Sequence, residues 1–271
     1  MTTSSTTATS AFNELIGLAD GPRVPDIGDA VVLDNLAKTY RDGTQAVRGI
    51  SLRVASGESF GILGPNGAGK STTIGMLGTL VKPTGGRAWV AGHDVVAEPI
   101  EVRRRIGFAM QDVGVDAFAT ASELMVLQGR LHGLRKSDAV RRAQLLLRVV
   151  GLDQVAGKRV STLSGGTKRR VDLAASLMHL PPIVFLDEPT EGLDPRSRTA
   201  IWETLTELRH RLGVTLVLTT HDMDEAEALC DRIGIVDRGT LVVEGTPDSL
   251  KASDGQTLEA VYLHYTEREA A

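Results

Sequence analysis

The sequence predicts an α/β protein with a parallel-sheet core, an antiparallel β subdomain and an inserted helical subdomain. First, a strand-like run, ESFGIL from Glu58, leads through a glycine-rich turn into the helix-like segment TTIGMLGTLV. Second, the apolar runs IVFLD at 183–187 and VTLVLTT at 214–220 flank a helix-like segment, as in buried parallel strands with crossover helices. Third, the chain between the glycine-rich turn and the run IVFLD is mostly helix-like over about 112–178.

Composition limits the class of protein. The 271 residues are 42% hydrophobic and 24% charged, which is ordinary for a globular protein. The single cysteine, Cys230, rules out an internal disulfide and a CxxC metal site and suits a reducing, cytoplasmic compartment. Acidic residues, 34 in all, outnumber the 30 basic ones, and no long basic block occurs, so we expect no nucleic-acid partner. The longest uncharged apolar stretch, 173–186, is too short to span a membrane.

The elements follow one another in a simple order. Residues 1–30 are rich in Ser and Thr and then in Gly, Pro and Asp, so they are predicted to form a disordered or loosely attached arm. Short apolar runs broken by turns begin at Ala30, and the main domain is predicted over 31–248 with its helical subdomain at about 112–178. The runs IGIVD and TLVVEG predict a hairpin, and 249–271 predict a short helical tail.

The glycine-rich turn matches the pattern GxxxxGK[ST] from Gly64 to Ser71. It follows a strand and opens a helix, where backbone N–H groups converge on an anion and the helix dipole favours it. Lys70 supplies a charge for the β- and γ-phosphates of a nucleotide, and Ser71 supplies a hydroxyl for Mg²⁺. The predicted ATP-binding residues of this loop are Gly64, Pro65, Asn66, Gly67, Ala68, Gly69, Lys70, Ser71 and Thr72.

Two carboxylates, Asp187 and Glu188, follow the apolar run IVFLD. Ligands of open α/β sheets lie at the carboxyl ends of the strands, so both carboxylates are placed where a nucleotide would bind. Asp187 can hold Mg²⁺ through water, and Glu188 can orient and deprotonate an attacking water. An acidic pair at a strand end is usually a solvated loop, but a chain with a phosphate-binding loop favours the catalytic interpretation.

A second turn, formed by Leu163, Ser164, Gly165 and Gly166, precedes a helix-like segment. Apolar residues of that segment recur at helical spacing, so the turn is predicted to lie at a helix N-terminus. Such a terminus is an anion site, here without a lysine of its own. The sequence therefore offers two phosphate sites for one apparent nucleotide.

The motifs together resemble the ATP-binding subunit of ABC transporters, a P-loop NTPase cassette, over nearly all of 31–248. The motifs in order are GPNGAGKST, Gln111, LSGG, IVFLDEPT, GLD at 192–194 and His221. The resemblance implies a head-to-tail dimer in which the Ser164–Gly166 turn of one subunit closes over the ATP held by Lys70 of the other.

The same resemblance assigns further residues. Tyr40 would stack on adenine, and His221 would contact the γ-phosphate. Gln111 would touch Mg²⁺ or the attacking water, and Asp194 would belong to a loop that crosses the dimer interface. Two positions depart from the family pattern: Thr167 stands where Gln is usual, and Glu191 stands where Ser or Asn is common before GLD. We expect these departures to adjust the activity of the protein and not to abolish it.

Within this family the segment around Gln111, the KRR run after LSGGT and the closing LEAVYLHYT look most like drug exporters of the daunorubicin-resistance type. This implies an ATPase that dimerises on binding ATP and powers efflux of a drug, lipid or other hydrophobic compound. Its partners would be a separate membrane permease and a second ATPase subunit, identical or related, at the cytoplasmic face of the membrane. The alternatives are a soluble ABC-type ATPase, a non-hydrolysing nucleotide-dependent regulator, and a nucleotide kinase or GTPase, which would leave LSGG and His221 unexplained.

Overall fold

A computed structural model describes residues 3–17, 28–110, 118–252 and 257–267. It consists of two compact units. The sheet unit comprises Asp26–Ile106, Phe185–Glu188 and Thr215–Ala271, and the helical unit comprises Met1–Pro25, Gly107–Val184 and Pro189–Val214. Each unit is described by itself below.

Helices and strands alternate along most of the chain. In order they are α1 (Thr3–Gly17), β1 (Asp29–Thr39), β2 (Gln45–Ala55), β3 (Ser59–Leu63), α2 (Lys70–Leu77), β4 (Gly85–Val90), β5 (His93–Asp94), α3 (Pro99–Arg105), β6 (Ile106–Ala109), α4 (Ala121–Leu131), α5 (Lys136–Val149), α6 (Gly165–Ser176), β7 (Ile183–Asp187), α7 (Pro195–Leu212), β8 (Thr215–Thr220), α8 (Met223–Leu229), β9 (Arg232–Asp237), β10 (Thr240–Gly245), α9 (Pro247–Ala252) and α10 (Leu258–Glu267).

The sheet unit contains a four-stranded antiparallel sheet in the order β2-β1-β4-β5. Side chains of β2 alternate between exposed and buried along most of its length, because one face of an antiparallel sheet packs on the core and the other meets water. This sheet is the predicted antiparallel subdomain.

The core sheet of the same unit runs in the order β10-β9-β3-β8, followed by the carboxyl-terminal part of β7. Strand β3 pairs in parallel with both β8 and β9, and every residue of β3, β7 and β8 is buried. Continuous apolar runs in the sequence therefore correspond to buried strands of a mainly parallel sheet. The predicted hairpin is formed by β9 and β10, which pair antiparallel.

The helical unit packs α4, α5, α6 and α7 around buried aliphatic side chains. Helix α4 begins at a capping box in which the Thr120 hydroxyl and the Glu123 carboxylate each accept a hydrogen bond from the other residue's backbone amide. Helix α5 buries Ala139, Ala143 and Leu146 at helical spacing. Among the described residues, no helix combines the length and the apolar character needed to cross a membrane.

The predicted disordered arm over 1–30 differs from the structure, because Thr3–Gly17 form helix α1 in the helical unit. Ala11, Phe12 and Leu15 are buried on one face of this helix. The Arg211 guanidinium lies 5.4 Å from the centre of the Phe12 ring, and Arg141 donates a 2.8 Å hydrogen bond to Glu14. Tertiary packing therefore stabilises a helix whose composition favours disorder; residues 18–27 lie outside the described part of the chain.

Candidate functional site

A tight loop joins the carboxyl end of β3 to the first turn of α2. Its backbone depends on Gly69, which has a φ of 100° and whose Cβ, if present, would lie 2.2 Å from the Ala46 carbonyl oxygen. Any other residue there would meet both an unfavourable φ and a backbone clash. At the tip of the loop, Asn66 and Gly67 are exposed, and so is Ser71 in the first turn of α2.

The Lys70 side chain lies at the centre of this loop and is almost fully buried. Its ammonium group donates hydrogen bonds to the carbonyl oxygens of Gly64 at 2.8 Å and Pro65 at 3.1 Å. The Glu188 carboxylate lies 3.1 Å away and balances its charge. A buried cation is thus fixed inside the loop by two carbonyl oxygens and a carboxylate.

Asp187 ends β7, and its carboxylate oxygen Oδ1 accepts two hydroxyl hydrogen bonds. Ser71 Oγ donates one at 3.0 Å and Thr219 Oγ1 donates the other at 2.5 Å. The Ser71 hydroxyl and the Asp187 carboxylate are oxygen ligands of the kind that Mg²⁺ prefers, so these residues fit a magnesium ion. The structure thus brings together two residues that the sequence predicts as metal ligands.

Thr219 is a residue of this site that the sequence reasoning missed. Its hydroxyl donates to Asp187 and also accepts a 3.0 Å hydrogen bond from the Glu188 amide. The signal for it is the pair of hydroxyl residues, Thr219 and Thr220, that follows the aliphatic run Leu216–Leu218 at the end of β8. A buried hydroxyl at the carboxyl end of a central strand needs a polar partner, and here that partner is Asp187.

Glu188 directs its carboxylate between two nitrogen groups. Oε1 lies 3.1 Å from Lys70 Nζ, and Oε2 lies 3.2 Å from His221 Nδ1. Its backbone has a φ of 46°, in the left-handed region, and its amide donates to the Thr219 carbonyl oxygen at 3.1 Å. Glu188 is buried and His221 is exposed. The carboxylate therefore contacts a buried lysine on one side and a solvent-exposed histidine on the other.

Tyr40 follows β1 and lies beside the start of α2. Its side chain is 40% exposed, and its hydroxyl is 3.3 Å from Thr72 Oγ1. Lys38 Nζ lies 5.1 Å from the ring centre and adds a cation–π contact. An exposed aromatic face next to a phosphate-binding loop is suited to stacking on a nucleotide base.

The Leu163–Gly166 turn lies in the helical unit, at the N-terminus of α6. Ser164 is exposed and caps the helix, with its hydroxyl accepting from the Thr167 amide at 3.4 Å and lying 2.9 Å from the Thr167 hydroxyl. A Cβ on Gly166 would come within 2.5 Å of Ser197 Oγ, so the turn needs glycine there for close packing on α7. Thr167, which departs from the family pattern, thus contacts the hydroxyl proposed to bind phosphate.

Asp194 caps α7 in the same unit. Its carboxylate accepts hydrogen bonds from the Ser197 hydroxyl at 2.7 Å and from the amides of Arg196 and Ser197. The Ser197 hydrogen bonds are the main reason that the pKa of Asp194 is lower than usual. Asp194 is therefore an ionised, exposed helix cap. Gln111, another residue that the resemblance assigns to the site, lies outside the residues that the structure describes.

Residues 47–191 match the ABC transporter family, which is more than half of the chain. The chain belongs to the ABC transporter family. It is 46% identical over 241 residues to the daunorubicin/doxorubicin resistance ATP-binding protein DrrA of Streptomyces peucetius, covering 89% of this chain and 72% of that one. It is 43% identical over 217 residues to the linearmycin resistance ATP-binding protein LnrL of Bacillus subtilis (strain 168), covering 80% of this chain and 69% of that one.

Solved structures agree with the sequence comparison. An ATP-binding subunit of an ABC transporter has a TM-score of 0.78 at 27% identity, over 87% of this chain and 99% of that one. The ATP-binding cassette MJ0796, a dimer in a post-hydrolysis state bound to ADP and Pi, has a TM-score of 0.75 at 31% identity, over 80% of this chain and 98% of that one.

These similarities confirm several predictions about the ABC protein. The family, the P-loop ABC fold and ATP hydrolysis are as predicted, and the chain is the ATPase subunit of an ABC exporter. ATP-binding subunits of this kind dimerise and work with a separate membrane component. An ATPase or regulator uncoupled from transport is not favoured.

Tyr40→Ala is expected to weaken ATP binding about fivefold or more, because stacking of a base on an aromatic ring contributes roughly 1–3 kcal/mol. The kcat at saturating ATP should change little, since Tyr40 contacts Thr72 and is proposed to bind the base and not the reacting phosphate. Titration with a fluorescent ATP analogue measures the affinity. Tyr40→Phe, which keeps the ring and loses the hydroxyl, should bind almost normally; equal losses in both variants would show that the hydroxyl matters and stacking does not.

Proposed function

We propose that this ABC subunit hydrolyses ATP in a site shared between two subunits, with Glu188 as the general base. The observation that carries the proposal is the position of the Glu188 carboxylate, 3.1 Å from Lys70 and 3.2 Å from His221. Asp187 lies beside it and accepts from Ser71. A base, two phosphate-contacting groups and a metal-ligand pair thus meet at the N-terminus of one helix.

Nucleotide binding uses the loop between β3 and α2. Its amides and Lys70 bind the β- and γ-phosphates, and Tyr40 stacks on the adenine. Ser71, Asp187 and Gln111 are the residues that would hold Mg²⁺, which neutralises charge that develops on the phosphates. The exposed tip of the loop leaves this end of α2 accessible to ATP.

Hydrolysis requires an exchange of partners at Lys70. In the structure its ammonium pairs with Glu188 and with two loop carbonyls. A γ-phosphate competes for the same ammonium, so its arrival frees one carboxylate oxygen of Glu188 to accept a proton from water. His221 holds the other oxygen and contacts the phosphate, which orients the base towards the reacting atom.

A second copy completes the site. Ser164 is exposed and caps a 12-residue helix, α6, so its turn can offer a hydroxyl and helix amides to a phosphate. In a two-fold dimer Ser164 of the partner subunit would lie over the γ-phosphate held by Lys70, which gives two equivalent sites. Asp194 would belong to the loop that crosses this interface.

The names of the relatives indicate the kind of cargo that the transport step would carry. The relatives are named for resistance to daunorubicin, doxorubicin and linearmycin, and another is a Nod factor export ATP-binding protein. We therefore propose that ATP-driven closure and hydrolysis-driven opening power efflux of a drug, lipid or other hydrophobic compound. The ATPase would be held at the cytoplasmic face of the membrane by a separate permease.

The shared site predicts that ATP turnover per subunit depends on protein concentration. At low concentration the isolated subunits are monomers and each holds only half a site, so turnover per subunit should rise with concentration and then level off. Phosphate release from the purified chain measures this, and removal of Mg²⁺ with a chelator should stop it. Constant turnover per subunit across a range in which sedimentation shows monomers becoming dimers would contradict the shared site.

A further inference from the structure

Arg169 lies in the second turn of α6 and is almost fully buried. Its guanidinium reaches out of its own helix to two backbone carbonyl groups. Nε donates to the Pro189 oxygen at 3.0 Å, and Nη1 donates to the Met110 oxygen. All three residues belong to the helical unit.

The two carbonyl groups occupy informative positions in the chain. Met110 immediately precedes Gln111, and Pro189 immediately follows Glu188. One side chain of α6, the helix that Ser164 caps, thus holds the backbone next to two residues of the proposed reaction. We propose that Arg169 is a positioning residue for ATP hydrolysis, a role that rests on the proposed function of Glu188 and Gln111.

Arginine is suited to this task by its shape. Its planar guanidinium presents several N–H donors in fixed directions, so one side chain can hold two carbonyl groups at once. A lysine ammonium is a point charge with no such fixed fork. The spacing between the segments that leave β6 and β7 is therefore set by a rigid group.

The surroundings of Arg169 strengthen these hydrogen bonds. One turn further along α6, burial raises the pKa of Asp172 to about 6, while the charge of Arg169 acts in the opposite direction. Arg169 itself is only 7% exposed, so little water competes for its N–H groups. Hydrogen bonds from a charged donor are strong in such an environment.

The position of Arg169 predicts a link between the two sites of the dimer. Ser164, at the start of α6, is proposed to contact the ATP of the partner subunit, and Arg169 lies on the same helix. A displacement of α6 at that contact is passed by Arg169 to the backbone beside Gln111 and Glu188 of its own subunit. Loss of Arg169 should therefore impair turnover and leave ATP binding by the monomer intact.

The test compares Arg169→Gln and Arg169→Lys with a matched control, Arg142→Gln. Arg142 also donates from Nη1 to a carbonyl oxygen of the helical unit, that of Met178 at 3.1 Å, which is not adjacent in the chain to Gln111 or Glu188. For each purified variant of the chain we would measure kcat, KM, the affinity of the monomer for a fluorescent ATP analogue, and the melting temperature.

We expect Arg169→Gln to lower kcat about tenfold while monomer affinity stays within about twofold of the wild type. Arg169→Lys should be intermediate, because one of the two hydrogen bonds can be kept, and Arg142→Gln should keep its kcat. A kcat within about twofold of the wild type for Arg169→Gln, or an equal loss in Arg142→Gln, would overturn the proposal. If Arg169→Gln fails to fold, Arg169→Lys decides in the same way, with a wild-type kcat counting against it.

The outcome is distinguishable from failure of the proposed function. If Glu188→Gln still hydrolyses ATP at the wild-type rate, the assignment of the base fails whatever Arg169 does. If Glu188→Gln is arrested while both Arg169 variants keep the wild-type kcat, only the positioning role of Arg169 fails.

Discussion

Glu188→Gln is expected to lower ATP turnover about 100-fold or more, since a general base typically contributes 10²–10⁴-fold. Glutamine keeps the size and shape of the side chain and one acceptor oxygen, but it cannot accept the proton of the attacking water. It also removes the negative charge that lies 3.1 Å from Lys70, so the ammonium becomes more available to phosphate. ATP binding should persist, and an ATP-bound dimer should accumulate. Phosphate release and gel filtration with ATP measure the two effects.

A control variant tests whether a change from glutamate to glutamine elsewhere in the sheet unit affects turnover. Glu227 pairs with Lys251 at 3.1 Å on the surface of the sheet unit, so Glu227→Gln makes the same chemical change away from the site. It should turn over ATP at the wild-type rate. Turnover by Glu188→Gln within about tenfold of the wild type would be too fast for a protein that has lost its general base.

Ser164→Arg is expected to stop turnover by blocking closure of the dimer. Ser164 and Gly165 are exposed in the helical unit, and in the proposed dimer an arginine at position 164 would fill the space of the γ-phosphate of the partner subunit's ATP. The affinity of the monomer for ATP should stay within about twofold of the wild type, because the loop around Lys70 is unchanged. Nucleotide titration of the monomer and gel filtration with ATP in the Glu188→Gln background measure both.

Ser164→Ala is the control for the lost helix cap, which should lower stability by about 1 kcal/mol without adding bulk. It should still form the ATP-bound dimer in the Glu188→Gln background. A collapse of ATP affinity in the Ser164→Arg monomer, or a normal dimer in that variant, would contradict a site completed by the partner subunit.

The parts of the site that could be predicted from sequence follow local rules. The loop from Gly64 to Ser71 is contiguous, and its chemistry depends on the strand before it and the helix after it. Asp187 and Glu188 follow a buried strand, so the general geometry of parallel sheets places them at the ligand-binding edge. The fold class follows for the same reason, since continuous apolar runs and helical spacing are both visible along the chain.

The missed parts depend on contacts between distant segments. Thr219 acquires its role only because β8 lies next to the end of β7. Helix α1 is stabilised by packing of Phe12 and Leu15 within the helical unit, which outweighs a Ser- and Thr-rich composition. In the sequence, Arg169 is one of a run of basic residues. Its hydrogen bonds to the Met110 and Pro189 carbonyl groups exist only in the folded chain.

The left-handed backbone of Glu188 sets stability against activity at a single residue. A side chain with a Cβ in that region raises the free energy of the folded state by about 1 kcal/mol, whereas glycine adopts it freely. The residue best tolerated by the backbone would therefore carry no carboxylate. An unrestricted search for a more heat-resistant variant of this protein would tend to discard the proposed catalytic base, so such a search needs selection for turnover as well as for folding.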